Sequence, residues 1–122
     1  MKGDRSSRVV VLEHEAVLRE LVVDILRAAG MDAQGADNAG DLPTGWRGGV
    51  IVSDTFSSPY RVADVARHIA ELRERHRAAV LLLTGHSQVV RDEREIGADA
   101  IVLKPFDVDE FVSVVESLAS RA

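Results

Sequence analysis

Lysine is rare in this chain, and its placement is informative. The 15 basic residues include only two lysines, Lys2 near the start and Lys104 deep in the sequence. A compact ammonium serves where a point charge must fit, and a planar guanidinium is no substitute there. Lys104 directly follows the apolar run Ile101-Val102-Leu103, and other apolar runs end on comparable residues. Val9-Val10-Val11-Leu12 leads into Glu13-His14-Glu15, Val50-Ile51-Val52 into Ser53-Asp54-Thr55, and Val80-Leu81-Leu82-Leu83 into Thr84-Gly85-His86-Ser87. If these runs are adjacent strands, carboxylates, a hydroxyl, an ammonium and the imidazoles of His14 and His86 gather at one edge. Such a set suits phosphoryl transfer. A carboxylate, here Asp54, can take the group as an acyl phosphate. The transferring group spreads charge over its equatorial oxygens and calls for cations and hydrogen-bond donors. Lys104 offers one cation and Thr84 one donor. A divalent metal held by acids after the first run would be a second cation.

Taken singly, the same residues have blander uses. Asp54 could cap a loop or helix, and Thr84 could simply end a strand. His68 and His76 lie in a charged stretch, residues 67–77, and read as solvated surface.

The elements that must position these groups are legible as well. The apolar runs are rich in β-branched residues and do not alternate with polar ones, as in strands covered by helices on both faces. A weaker run, Met31 to Gly35, follows Gly30 and reads as an edge strand. Val17, Leu18, Leu21, Val22, Ile25, Leu26 and Ala29 form one helical stripe at spacings of three and four. A second stripe (Val62, Val65, Ala66, Ile69, Leu72) starts after Pro59. A third (Val108, Phe111, Val112, Val115, Leu118, Ala119) opens at Asp107, a good N-cap residue. Val89 to Ile96 is a shorter, charged helix candidate ending at Gly97. Residues 37–49 are rich in glycine, so any helix there is short or broken. The alternation predicts an α/β fold, a doubly wound parallel sheet of five strands with helices on both faces. Functional groups of such sheets collect at the carboxyl ends of the strands.

Composition narrows the function classes. At 122 residues, with 46% hydrophobic and 29% charged residues, the chain reads as an N-terminal tail over 1–8 and one domain over 9–122. It has no cysteine, which excludes disulfides, a thiolate zinc site and a cysteine nucleophile. A net charge of −5 argues against nucleic-acid binding by this domain. No apolar run approaches the roughly 20 residues of a spanning helix, and no apolar segment follows the charged start. No membrane contact and a cytoplasmic location are the expectations.

The chain resembles the receiver domain of two-component response regulators over nearly its whole length. The residues that carry the likeness are Val50-Ile51-Val52-Ser53-Asp54, the step Leu83-Thr84-Gly85, and Gly97-Ala98-Asp99-Ala100-Ile101-Val102-Leu103-Lys104-Pro105-Phe106. Glu15 and Arg19 also match the opening of the family's first helix. The resemblance implies a flavodoxin-like sheet in strand order 2-1-3-4-5. It makes Asp54 the phosphoacceptor, Thr84 the hydroxyl that bonds the phosphoryl group and shifts on activation, and Lys104 its cationic partner. It implies a cis Lys104-Pro105 bond and a magnesium ion at Glu13, Asp54, the Phe56 backbone carbonyl and the position of His14. The phosphodonor would be a histidine kinase or phosphotransfer protein, with an output protein downstream. A homodimer through the last helix is a further option that no charge pattern here selects. Any enzymatic activity would be self-catalysed phosphoryl transfer to Asp54 and hydrolysis from it.

The chain departs from the family pattern at His14, at Ile101 and in the loop Thr55-Phe56-Ser57-Ser58-Pro59-Tyr60, which lacks the family's usual methionine-proline and following glycine. His14 stands where a second acid normally ligates magnesium, and magnesium prefers oxygen, so its binding is expected to be weakened. Ile101 occupies the switch position, usually an aromatic that rotates inward. Phe56 and His86 stand where residues flank the water that ends the phosphorylated state. These departures support an alternative, a degenerate receiver serving as a phosphorylation-independent interaction module. A third reading, a metal or hydrolytic enzyme using Glu13, His14, Asp54 and His86, draws on the preference of imidazole for transition metals.

Overall fold

The structure is a computed structural model that describes residues 8–42 and 46–121. Five strands, β1 (Arg8–Leu12), β2 (Asp32–Ala36), β3 (Val50–Ser53), β4 (Ala79–Thr84) and β5 (Ala100–Leu103), form one parallel sheet in the order β2-β1-β3-β4-β5. The helices are α1 (Ala16–Ala28), α2 (Val62–His76), α3 (Gln88–Arg91), α4 (Glu93–Ile96) and α5 (Val108–Arg121). The expected fold is therefore present. The tail expected over 1–8 lies outside the described residues except for Arg8, which opens β1.

The unbroken apolar runs are explained by two-sided burial. Val9, Val11, Val50, Val52, Leu81 and Leu83 point to one face, where they pack with Val22 and Leu26 of α1 and Phe111, Val115 and Leu118 of α5. Val10, Leu12, Ile51, Val80 and Leu82 point to the other, against Val65, Ile69 and Leu72 of α2 and Val89 and Ile96 of α3 and α4. Successive strand side chains alternate between faces, so every residue of such a run must be apolar. Asp107 starts α5 as expected, its carboxylate accepting from the Glu110 N–H at 2.9 Å.

Several boundaries differ from the sequence reading. The edge strand runs one residue later, Asp32–Ala36 rather than Met31 to Gly35. Between β2 and β3 the only described helical element is a 3-10 turn, Ala39–Asp41, pinned by Asn38 Oδ1 accepting from Gly40 N–H at 2.8 Å. Leu42 and Trp46 cover the sheet beside it. The stretch Val89 to Ile96 is two single turns, with Asp92 between them. In α1 the stripe is wider than the contact: Val22, Val23 and Leu26 are buried, while Val17 and Leu21 are 79% and 52% exposed. His76 is not solvated but 3% exposed, its Nδ1–H donating to the Trp46 carbonyl at 2.9 Å.

The β2 edge is dressed by two arginines of α1. Arg27 Nε donates to the Ala33 carbonyl at 2.9 Å. Arg19 Nη1 donates to the Glu13 carbonyl at 2.7 Å and reaches Asp37 at 3.3 Å. Its stem crosses Gly35 so closely that a Cβ there would meet Arg19 Cγ at 2.8 Å. Phe111 fixes the other end of the same layer, wholly buried beside Phe106. Its removal leaves a cavity that the sheet cannot close, and Phe111→Ala is expected to cost about 3–5 kcal/mol. Urea denaturation with an unchanged slope checks this; a loss under about 1 kcal/mol would mean that the layer repacks around the void.

Candidate functional site

The register of the sheet brings the strand ends together. Leu12 pairs with Ser53, Ser53 with Leu82, and Thr84 with Leu103. Glu13, Asp54, Thr84 and Lys104 therefore emerge at one edge, from β1, β3, β4 and β5. The Glu13 and Asp54 side chains are 5% and 11% exposed. Buried carboxylates need partners, and each has them. Glu13 Oε2 accepts from the Glu15 N–H at 3.1 Å, and Oε1 accepts from Lys104 Nζ at 3.3 Å. Lys104 Nζ also lies 3.8 Å from Asp54 Oδ1. His14 Nδ1 stands 3.1 Å from Asp54 Oδ2 and 3.4 Å from Glu13 Oε2.

Thr84 is fully buried, and its hydroxyl oxygen accepts from the His86 N–H at 3.1 Å. His86 does not join the Glu13–His14–Asp54 cluster. Its ring packs on Tyr60 at 5.5 Å. Burial and the hydrogen bond to Asp92 push the Tyr60 hydroxyl up to about 12. Ile101 is half-buried against the α2 side of the core. The Lys104-Pro105 bond is cis, as is Ser58-Pro59.

Beyond Asp54 the chain turns sharply. Phe56 has φ 51°, a left-handed conformation rare outside glycine and asparagine. Its ring is 38% exposed and packs edge-on to His14 at 6.0 Å and against His68 at 5.3 Å. His14, Asp54, Phe56 and His86 all line an open cleft of about 470 Å³. His68, expected like His76 at the solvated surface, is instead partly buried. Ser53 Oγ donates to the Asp54 carbonyl at 2.7 Å, so it accepts the proton of His68 Nε2 at 2.9 Å. The spacing could have shown this, since Val65, His68 and Leu72 fall on one helix face, and Val65, Ile69, Leu72 and His76 on the buried stripe.

The donor set answers whether magnesium, the ion of this fold family, suits the site. Two carboxylate oxygens do, but the third donor of the cluster is an imidazole nitrogen. Magnesium demands a nearly octahedral shell of oxygens, so this set fits it poorly.

Comparison with known proteins decides the fold class. No protein-family model matches the chain. It superposes on a response regulator receiver protein from Burkholderia phymatum with a TM-score of 0.73 at 21% identity, covering 93% of this chain and 94% of that one. The chain folds as a response regulator receiver domain. The chain also matches TrrA from Thermotoga maritima, solved in complex with Mg2+-BeF, with a TM-score of 0.67 at 25% identity and coverage of 91% and 97%. In sequence it is 28% identical over 120 residues to the transcriptional regulatory protein PdtaR of Mycobacterium tuberculosis, covering 93% of this chain. It spans 57% of that relative's length. Among the described residues no helix is long and apolar enough to cross a membrane.

His68 gives the receiver a pH dependence of defined sign. Burial holds its imidazole below the usual value, outweighing the upward pulls of Glu71 and Asp54. The unfolded chain therefore binds this proton more readily than the folded one. The corresponding stability is full above the ordinary histidine value of about 6.5 and is lost as the pH falls from there through the lowered folded value. Denaturation between about pH 7.5 and about pH 5.5 should show falling stability, with a shallower fall in His68→Gln. Equal slopes in both proteins would assign the dependence to other groups.

Proposed function

We propose that this receiver accepts a phosphoryl group on Asp54 from a histidine kinase or phosphotransfer protein and passes the signal, or the phosphate, to an output protein. The observation that carries the reading is the position of Lys104. The one lysine outside the N-terminal tail sits 3.3 Å from Glu13 and 3.8 Å from Asp54, where it can follow the charge from the carboxylate to an incoming phosphoryl oxygen. In the transfer, an Asp54 carboxylate oxygen bonds to phosphorus while the bond from phosphorus to the donor breaks, and the leaving group takes the bonding pair. Lys104 offsets the charge on the equatorial oxygens. The Thr84 hydroxyl, now an acceptor from His86, has its own proton to donate to the group. Glu13 keeps Lys104 from swinging into solvent.

A second reading has one observation in its favour. His14 Nδ1 lies against Asp54 Oδ2 at 3.1 Å, on the side of the carboxylate away from Lys104. An acceptor held in that way would leave the chain a phosphorylation-independent interaction module. One experiment separates the two. Acetyl phosphate and saturating magnesium should place one phosphate on the wild type and none on Asp54→Ala, as read by intact mass. An unmodified wild type would leave the interaction module as the function.

The lifetime of the phosphorylated state follows from Phe56. Hydrolysis needs a water in line with the breaking bond. Phe56 lines the cleft from a left-handed turn and offers that water no hydrogen bond. His86 could orient or deprotonate a water, but a shielded phosphorus gives it nothing to work on. Asparagine tolerates the left-handed conformation, so Phe56→Asn removes the shield without straining the loop. The variant should lose phosphate several-fold faster than wild type. An equal or slower loss would show that Phe56 does not guard the site.

A further inference from the structure

We propose that Glu13, His14 and Asp54 form a site for a borderline transition dication of the zinc class, in place of the magnesium usual to this fold. The proposal concerns the same site and rests on the receiver reading only for what a bound cation would do there. Its own support is the donor geometry. Glu13, His14 and Asp54 each offer one ligand atom, and all three lie within 4.8 Å of one another. The two contacts of His14 Nδ1, at 3.1 Å and 3.4 Å, are the separations that matter. Ligands about 2.0–2.2 Å from one ion stand about 3.3–3.6 Å apart at tetrahedral angles and about 2.8–3.1 Å apart at octahedral ones. Both edges at the imidazole fall in that span, and all three ligand atoms lie within 4.8 Å of one another, so the two carboxylates have only to draw toward each other around an ion.

Hydrogen bonding alone serves this arrangement less well. A single proton on Nδ1 can be given to Asp54 or to Glu13, and Glu13 Oε2 already accepts from the Glu15 N–H. A dication on the Nδ1 lone pair serves both oxygens at once. The nitrogen also selects among dications. Imidazole favours zinc, nickel and copper, and it replaces an oxygen that magnesium needs. Remaining coordination positions face the open cleft, since the His14 side chain is 67% exposed. The Phe56 ring lies edge-on to the imidazole at 6.0 Å and covers one side of it.

The test is calorimetric titration of the untagged protein with zinc chloride and with magnesium chloride, each alone. Zinc should bind at one equivalent and more tightly than magnesium. His14→Ala should weaken zinc by about tenfold or more, and His14→Asp should move the preference toward magnesium. Asp54→Asn removes a donor from a different strand and should weaken zinc as well, which guards against a misfolded His14 variant. Magnesium binding as tight as zinc in the wild type would overturn the proposal, as would zinc affinity unchanged in both His14→Ala and Asp54→Asn. No phosphodonor is present, so the outcome is independent of whether Asp54 accepts phosphate.

Discussion

Two carboxylates drawn out of water at the same end of a sheet must be compensated, and here one ammonium answers to both. Glu13 ends β1, Asp54 ends β3, and Lys104 reaches them from beyond β5. Opposite charges about 4 Å apart, in an effective dielectric near 20, attract by about 4 kcal/mol before desolvation is counted. A slip of β5 by one residue would turn Lys104 to the other face of the sheet and take from both acids the ammonium they share. Charge balance and strand register are therefore one constraint. The same compensation holds the Lys104 ammonium at the strand ends beside both carboxylates.

Around that core three side chains from different elements are linked. His14, Phe56 and His68 form a connected group, with Phe56 between the two imidazoles and His68 tied through Ser53 to the backbone of Asp54. A nitrogen donor, an aromatic ring and a half-buried imidazole whose charged form is disfavoured by desolvation thus stand in one group. The rest of the fold is that of a receiver.

Most of the architecture was legible because parallel strands buried on both faces cannot hide their composition. Val9 to Leu12, Val50 to Val52 and Val80 to Leu83 had no other plausible home. The strand-end residues were legible for the same reason, since the fold sends them to one edge. What escaped notice was polar but buried. His76 continues the stripe of Val65, Ile69 and Leu72, and its burial depends on the Trp46 carbonyl, thirty residues distant. Periodicity shows that face, whereas a charged neighbourhood hides it. Val17 and Leu21 erred the other way, because α1 presents more apolar surface than the sheet covers. The left-handed turn at Phe56 left no sign in the sequence, since no glycine or asparagine marks it.

The dressing of β2 bears on how the molecule behaves in a crowd. An open sheet has two free margins, and an unprotected one invites a neighbouring chain to extend the ladder into a fibre. At β2 that invitation is withdrawn. Arg27 already occupies the Ala33 carbonyl, and Arg19 lies across Gly35, the one place on the strand where a bare backbone would let another segment approach. A would-be partner strand must first displace a charged side chain that is itself anchored to Glu13 and Asp37. The arginine that steadies the loop after β1 thus also covers the open edge of the sheet.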